Sequence, residues 1–217
     1  MSSAGVIFDF DGVIVDSEPL QHRAYNLVLE RFGVRVGPEE YGREWIAAGR
    51  GPEHAVRTYA LPVTAEELRR LKDPIYHDLL RASAALVPGV RAALARLGNA
   101  FPLALATNSS QVDTAYILDR FELRAFFRAV VTREQYRNPK PAPDAFRTAA
   151  ARLELAPERC AVVEDAYKGI VAAASAGCAC IAMPHGYTAD NDVTRARAVI
   201  RGLDELTVDL VESLLAN

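Results

Sequence analysis

Val6-Ile7-Phe8-Asp9-Phe10-Asp11-Gly12 stands close to the start of this 217-residue chain. Its apolar run is short and unbroken, as expected of a strand buried on both faces, and it ends in two acids and a glycine. Four more short apolar runs follow, at residues 103–107, 129–132, 161–164 and 179–183. Helical patterns separate them, which predicts an α/β fold: a parallel sheet covered by helices on both sides. One of those helices is predicted over residues 166–176, with Gly177 as its left-handed cap.

The interval between the first two runs is too long for a single crossover. Leu20, Ala24, Leu27, Val28 and Phe32 recur on one helical face, which Gly33 ends. Thr64 and Glu67 form a capping box ahead of Leu68, Leu71, Ile75 and Leu79. Pro74 falls inside that pattern and predicts a kink or break. Residues 17–86 are therefore expected to be a helical domain inserted after the first strand. Residues 1–16 and 87–217 would then form the core, re-entered at Val87-Pro88-Gly89.

Ligands of open parallel sheets sit beyond the carboxyl ends of the strands, and these ends are rich in chemistry. Alternation along a strand puts Asp9 and Asp11 on one side, where two carboxylates need a cation; an all-oxygen set suits Mg²⁺. The second run ends in Thr107-Asn108-Ser109, whose hydroxyl and N–H groups can hold a phosphoryl oxygen. Lys140, in Asn138-Pro139-Lys140-Pro141, sits on a backbone restricted by two prolines and can neutralise both an aspartate and a phosphoryl group. The fourth run ends in Glu164-Asp165, two further acids that would complete the cation site. Alone, each feature also reads as an ordinary solvated strand end, helix cap or surface lysine; converging on one sheet edge, they do not.

In that order these motifs resemble the haloacid dehalogenase superfamily: Asp9-Phe10-Asp11-Gly12-Val13, Thr107, Lys140 in Lys-Pro-Ala-Pro-Asp, and Glu164-Asp165 followed by Gly169-Ile170 and Ala176-Gly177. The spacing is similar to the subgroup with a helical cap, which includes sugar-phosphate phosphatases, phosphoglycolate phosphatases and β-phosphoglucomutases. The resemblance implies a Rossmann-like core and an inserted cap. It also implies a Mg²⁺-dependent phosphomonoester hydrolase that works through an aspartyl-phosphate on a small phosphorylated metabolite, a sugar phosphate above all. Asp9 would be the nucleophile and Asp11 the acid and base. Thr107, Asn108 and Ser109 would hold the phosphoryl group, with Lys140 bridging it to Asp9. Asp9, Asp11 (through its carbonyl), Asp165 and Glu164 would serve the metal, Glu164 either as ligand or just outside. Haloacid dehalogenases lack an acid at the position of Asp11, so its presence points to an alkoxide leaving group.

Within the predicted cap, Arg50 aligns with an arginine that grips a distal phosphate in the mutases. Lys72 falls where they carry a lysine, although a solvated helix face is the simpler reading for it. The mutases also carry a histidine where this chain has Gln21; His22, one position on, should face elsewhere. This favours a phosphatase, with a β-phosphoglucomutase-type mutase as the alternative. His54, His77 and His185 read as surface or packing residues.

A net charge of −3 gives no overall attraction to nucleic acid or anionic lipid. No apolar run is long enough to span a membrane, and the first residues lack a signal-peptide pattern. The odd cysteine count, Cys160, Cys178 and Cys180, predicts reduced thiols and a cytoplasmic protein; Cys178-Ala-Cys180 reads as buried strand rather than half a metal site. No exposed apolar stripe stands out, which predicts a monomer. A phosphorylated signalling receiver would need its acceptor acid at a middle strand end, where this chain has Thr107 or Thr132. A silent binding protein would have no need of the full set of acids.

Overall fold

The computed structural model describes residues 4–216. Its centre is a parallel sheet of β1 (Gly5–Phe8), β2 (Leu103–Ala106), β3 (Ala129–Val131), β4 (Cys160–Glu164), β5 (Ala179–Ala182) and the short β6 (Ala198–Val199). The spatial order is β3-β2-β1-β4-β5-β6. The chain winds outward from β1 in one direction and then, from β4, in the other. The switch point between β1 and β4 is where such sheets bind ligands.

Side chains alternate between two cores. Val6, Phe8, Leu105, Val163 and Ile181 face one, against α5 (Val90–Gly98), α6 (Gln111–Arg120) and α9 (Val208–Leu215). Ile7, Ala104, Val162 and Cys180 face the other, under α7 (Asp144–Arg152) and α8 (Tyr167–Ala176). Small residues on α8, Ala172, Ala173 and Ala176, let it lie close to the sheet. It ends at Gly177 with φ of 94°, the left-handed cap expected there. The three cysteines are free and buried on this second face; burial pushes the Cys160 and Cys178 thiols up to about 12.

The five predicted runs are strands, some a residue or two shorter than expected. β6 was not foreseen, because two residues carry no readable alternation. Between β1 and the return of the chain at Leu86 the elements are all helical: α1 (Glu18–Leu29) with a 3-10 turn (Glu30–Phe32), α2 (Pro38–Glu40) running into a π-helical stretch (Tyr41–Ala47), α3 (Pro52–Thr58) and α4 (Ala65–Ser83). They share a separate apolar cluster built on Tyr25, Tyr41, Trp45 and Leu68. The chain leaves and re-enters the sheet layer at neighbouring points. Val15 bridges Leu86, the Asp16 amide donates to the Ala85 carbonyl at 3.0 Å, and Val87 donates to Ile14 at 3.0 Å.

At Pro74 the helix does not break. The capping box at Thr64 forms, and α4 runs through Pro74 without a break. Pro74 and Arg70, whose carbonyl loses its helical partner, are both exposed. Water can take that bond, so the break is not required. Among the described residues, no helix is long and apolar enough to cross a membrane.

Candidate active site

Register builds the site. Phe8 pairs with Val163, so the next residues, Asp9 and Glu164, leave β1 and β4 side by side. The Asp9 amide donates to the Val163 carbonyl at 3.0 Å. On the other flank, the Thr107 amide donates to Val131 at 3.0 Å and brings Thr107 to the same edge.

At the centre is the Lys140 ammonium, which donates to Asp9 Oδ1 at 2.6 Å and Glu164 Oε1 at 2.7 Å. All three residues are buried, as is Asp165. Oxygens of Asp9, Glu164 and Asp165 lie within 4.8 Å of one another. Burial, then the charge of Glu164, pushes the Asp9 carboxyl up to about 8, against the pull of Lys140. Burial, then the charges of Glu164 and Asp9, raises Asp165 well above the carboxylate range. Burial works against the Lys140 charge, but Asp9 and Glu164 outweigh it and hold its pKa above the usual lysine value. Three buried carboxylates thus face one ammonium. This excess of negative charge and its all-oxygen donor set fit a hard dication such as Mg²⁺.

The second oxygen of Glu164 accepts from the Ala166 amide at 3.1 Å, so both its oxygens have protein partners. Gly169 is required beneath it, because a Cβ there would overlap the Glu164 carboxylate. Gly12, with φ of 75°, has the same relation to Asp165.

Asp11 lies past the end of β1, on a turn in which the Gly12 amide donates to Val15 at 2.8 Å. The expectation that strand alternation aligns it with Asp9 is therefore corrected; the turn brings it to the same edge. Its carboxylate accepts from the Ser17 hydroxyl at 2.5 Å and from the Ser109 hydroxyl, and it stands outside the acidic trio. The Thr107 hydroxyl accepts from the Ser109 amide at 2.8 Å. Asn108 Oδ1 accepts from the Lys140 amide at 3.0 Å and from the Tyr136 hydroxyl at 2.7 Å. Asn108 and Tyr136 thus clamp the loop that presents Lys140. Ser17, Tyr136 and His185, which donates to the Gly12 carbonyl at 2.6 Å, were not foreseen. Nothing in the local sequence marks Tyr136 or His185; a serine six residues from Asp11 was the one available hint.

A cavity of about 760 Å³ opens between this edge and the inserted helices, bounded by Asp11 and Ser109 on one side and Arg50 and Lys72 on the other. A smaller one of about 170 Å³ adjoins Asp9 and Asp165. Arg50 is exposed and paired with Glu44. Lys72 overturns its solvated-face reading: it is buried, donates to Gln21 Oε1 at 2.8 Å, pairs with Asp73 at 2.9 Å and lies 4.8 Å from the Tyr76 ring centre. His22 faces away from Gln21, meeting the Tyr187 hydroxyl at 3.0 Å and the Val36 carbonyl at 2.8 Å. His54 pairs with Glu40 and His77 with Asp113, each at 3.1 Å.

A switch-point edge carrying these acids and this lysine defines a class of hydrolase, and the chain belongs to it: residues 6–183 match the haloacid dehalogenase-like hydrolases. It is 34% identical to a phosphorylated carbohydrates phosphatase of Thermotoga maritima over 79% of this chain and 81% of that one. Identity to the fructose-1-phosphate phosphatase YqaB of Escherichia coli is 32%, over 80% and 93% of the two chains. Among solved structures, a mutant of CbbY from Rhodobacter sphaeroides in complex with xylulose-(1,5)bisphosphate superposes with a TM-score of 0.77 at 27% identity, covering 95% of this chain and 96% of that one. The chain is a phosphatase of this family.

Proposed function

We propose that the chain is a Mg²⁺-dependent phosphomonoester hydrolase of small phosphorylated metabolites, sugar phosphates foremost, with Asp9 as nucleophile. The observation that carries this reading is the Lys140 bridge between Asp9 and Glu164 in a buried, acid-rich edge.

Asp9 Oδ attacks phosphorus in line and the ester oxygen leaves, forming an aspartyl-phosphate. Asp11, oriented through both oxygens by Ser17 and Ser109, gives the leaving alkoxide its proton. It then takes a proton from the water that attacks the intermediate, and phosphate departs with Asp9 restored. Lys140 offsets charge on the phosphoryl oxygens while holding Asp9 in place. The Thr107 hydroxyl accepts from Ser109, which leaves its own proton for a phosphoryl oxygen. Asp9, Asp165 and the Asp11 carbonyl would hold Mg²⁺, with Glu164 engaged in fixing Lys140; the ion supplies further neutralisation of the transferring group. Residues 17–86 act as a cap that closes the cavity and selects the substrate. Gln21, occupied by Lys72 and unable to titrate, supports hydrolysis over the mutase alternative.

The test is phosphate release from a panel of sugar phosphates, phosphoglycolate and nucleotides, with Mg²⁺ or with chelator. Release should need the ion and fall about ten-thousandfold or more in Asp9→Asn. No release from any ester, with isomerisation of β-glucose 1-phosphate instead, would replace the hydrolase with the mutase.

A further inference from the structure

Four cations line the larger cavity, and three of them are already matched by acids. Arg50 is paired with Glu44, Arg69 with Glu53 at 2.6 Å, and Lys72 with Asp73 at 2.9 Å. The fourth, Lys168, makes no ion pair or hydrogen bond among the described residues. The acid whose charge it feels, Glu53, is the one Arg69 holds.

Lys168 is placed by both layers of the molecule. It sits in the first turn of α8, three residues after Asp165, so the sheet edge sets its origin. Its side chain is exposed, and its outer carbons run close to Gly49 of the inserted helices. A Cβ on Gly49, whose φ is 65°, would come within 3.3 Å of Lys168 Cε. Its side chain borders both the small cavity at Asp9 and Asp165 and the large one beneath Arg50 and Lys72. An ester with its phosphorus at Asp9 would pass this ammonium on the way into the large cavity.

We propose that Lys168 is a specificity-determining residue that binds a second anionic group of the substrate, a carboxylate or a further phosphate on the part that is not hydrolysed. This rests on the hydrolase reading of the Asp9 site. An unmatched ammonium at the seam favours doubly anionic esters over esters with a neutral tail.

The experiment compares wild type, Lys168→Met and Lys168→Arg with Mg²⁺ on two matched esters, fructose 1,6-bisphosphate and fructose 1-phosphate. Lys168→Met should lower the ratio of kcat/KM for the first over the second by about tenfold, through KM, as expected for loss of a charged hydrogen bond. Lys168→Arg should restore most of it. A ratio unchanged in Lys168→Met overturns the proposal. If wild type hydrolyses neither ester, the hydrolase reading has failed instead. Calorimetric binding of fructose 1,6-bisphosphate to wild type and Lys168→Met then decides the Lys168 site by itself: weaker binding by the variant supports it, and equal binding or none to either protein overturns it.

Discussion

Lys140 and Arg50 are both cations paired with carboxylates, yet they live in different regimes. The Lys140 side chain is 4% exposed and bound to two acids whose own positions are set by strand register. Arg50 is 53% exposed and touches one glutamate six residues away on the inserted helices. A buried, multiply held charge cannot move without leaving its partners uncompensated. An exposed pair is worth about 0–1 kcal/mol and can be rearranged freely. Fixed chemistry suits the first setting and adaptable recognition the second.

The contrast breaks most directly at Lys140. Lys140→Met should cut kcat by about a thousandfold, with loss of both orientation of Asp9 and charge stabilisation, measured on the best ester from the panel. A variant retaining a tenth of wild-type kcat would show that the bridge is structural only. Next in size is Gly169→Ala, which forces a methyl group into the Glu164 carboxylate. Overpacking of about 1–3 kcal/mol should lower Tm by roughly 2–12 °C in calorimetry.

Glu18 tests the boundary between the two regimes. Burial, set against its hydrogen bond from the Tyr41 hydroxyl at 2.7 Å, pushes its carboxyl up to about 7. Between its ordinary pKa of 4.5 and about 7, the folded protein holds a proton that the unfolded chain has released. Stability contributed by this group is therefore present below pH 4.5 and is lost as pH rises through 7. Glu18→Gln should remove that loss, raising Tm at pH 8 by several degrees and leaving it unchanged at pH 4.5. An equal shift at both pH values would assign the effect to packing. Smallest is Arg50→Ala, expected to change Tm by no more than about 2 °C and KM by less than Lys168→Met does, since Arg50 already has Glu44 as its counterion.

Much of the sheet was readable because strands buried on both faces must be continuously apolar, as 6–8 and 161–163 are. Asp9, Lys140, Glu164 and Asp165 were readable as candidates because they converge on one predicted sheet edge, although each alone has an ordinary structural reading. The supports were not. Tyr136 and Asn108 hold the Lys140 loop through contacts between segments some thirty residues apart, and His185 reaches Gly12 across the fold. Such contacts arise only once the sheet has brought distant turns together. Lys72 was misread because its polar surroundings suggest solvent, whereas tertiary packing laid it against Tyr25 and Tyr76. At Pro74 the alternative of a break gave way, because the lost hydrogen bond falls on an exposed face.

The Val15–Leu86 bridge closes the helical excursion at its base. Because the chain returns beside the point where it left, the sheet experiences the whole helical excursion as if it were a hairpin turn. Its length and sequence are then free to drift, or to be exchanged for another cassette, without any strand changing register. With the insert selecting the substrate as proposed, a graft at two adjacent peptide bonds would rewrite the clientele while the reaction stays constant.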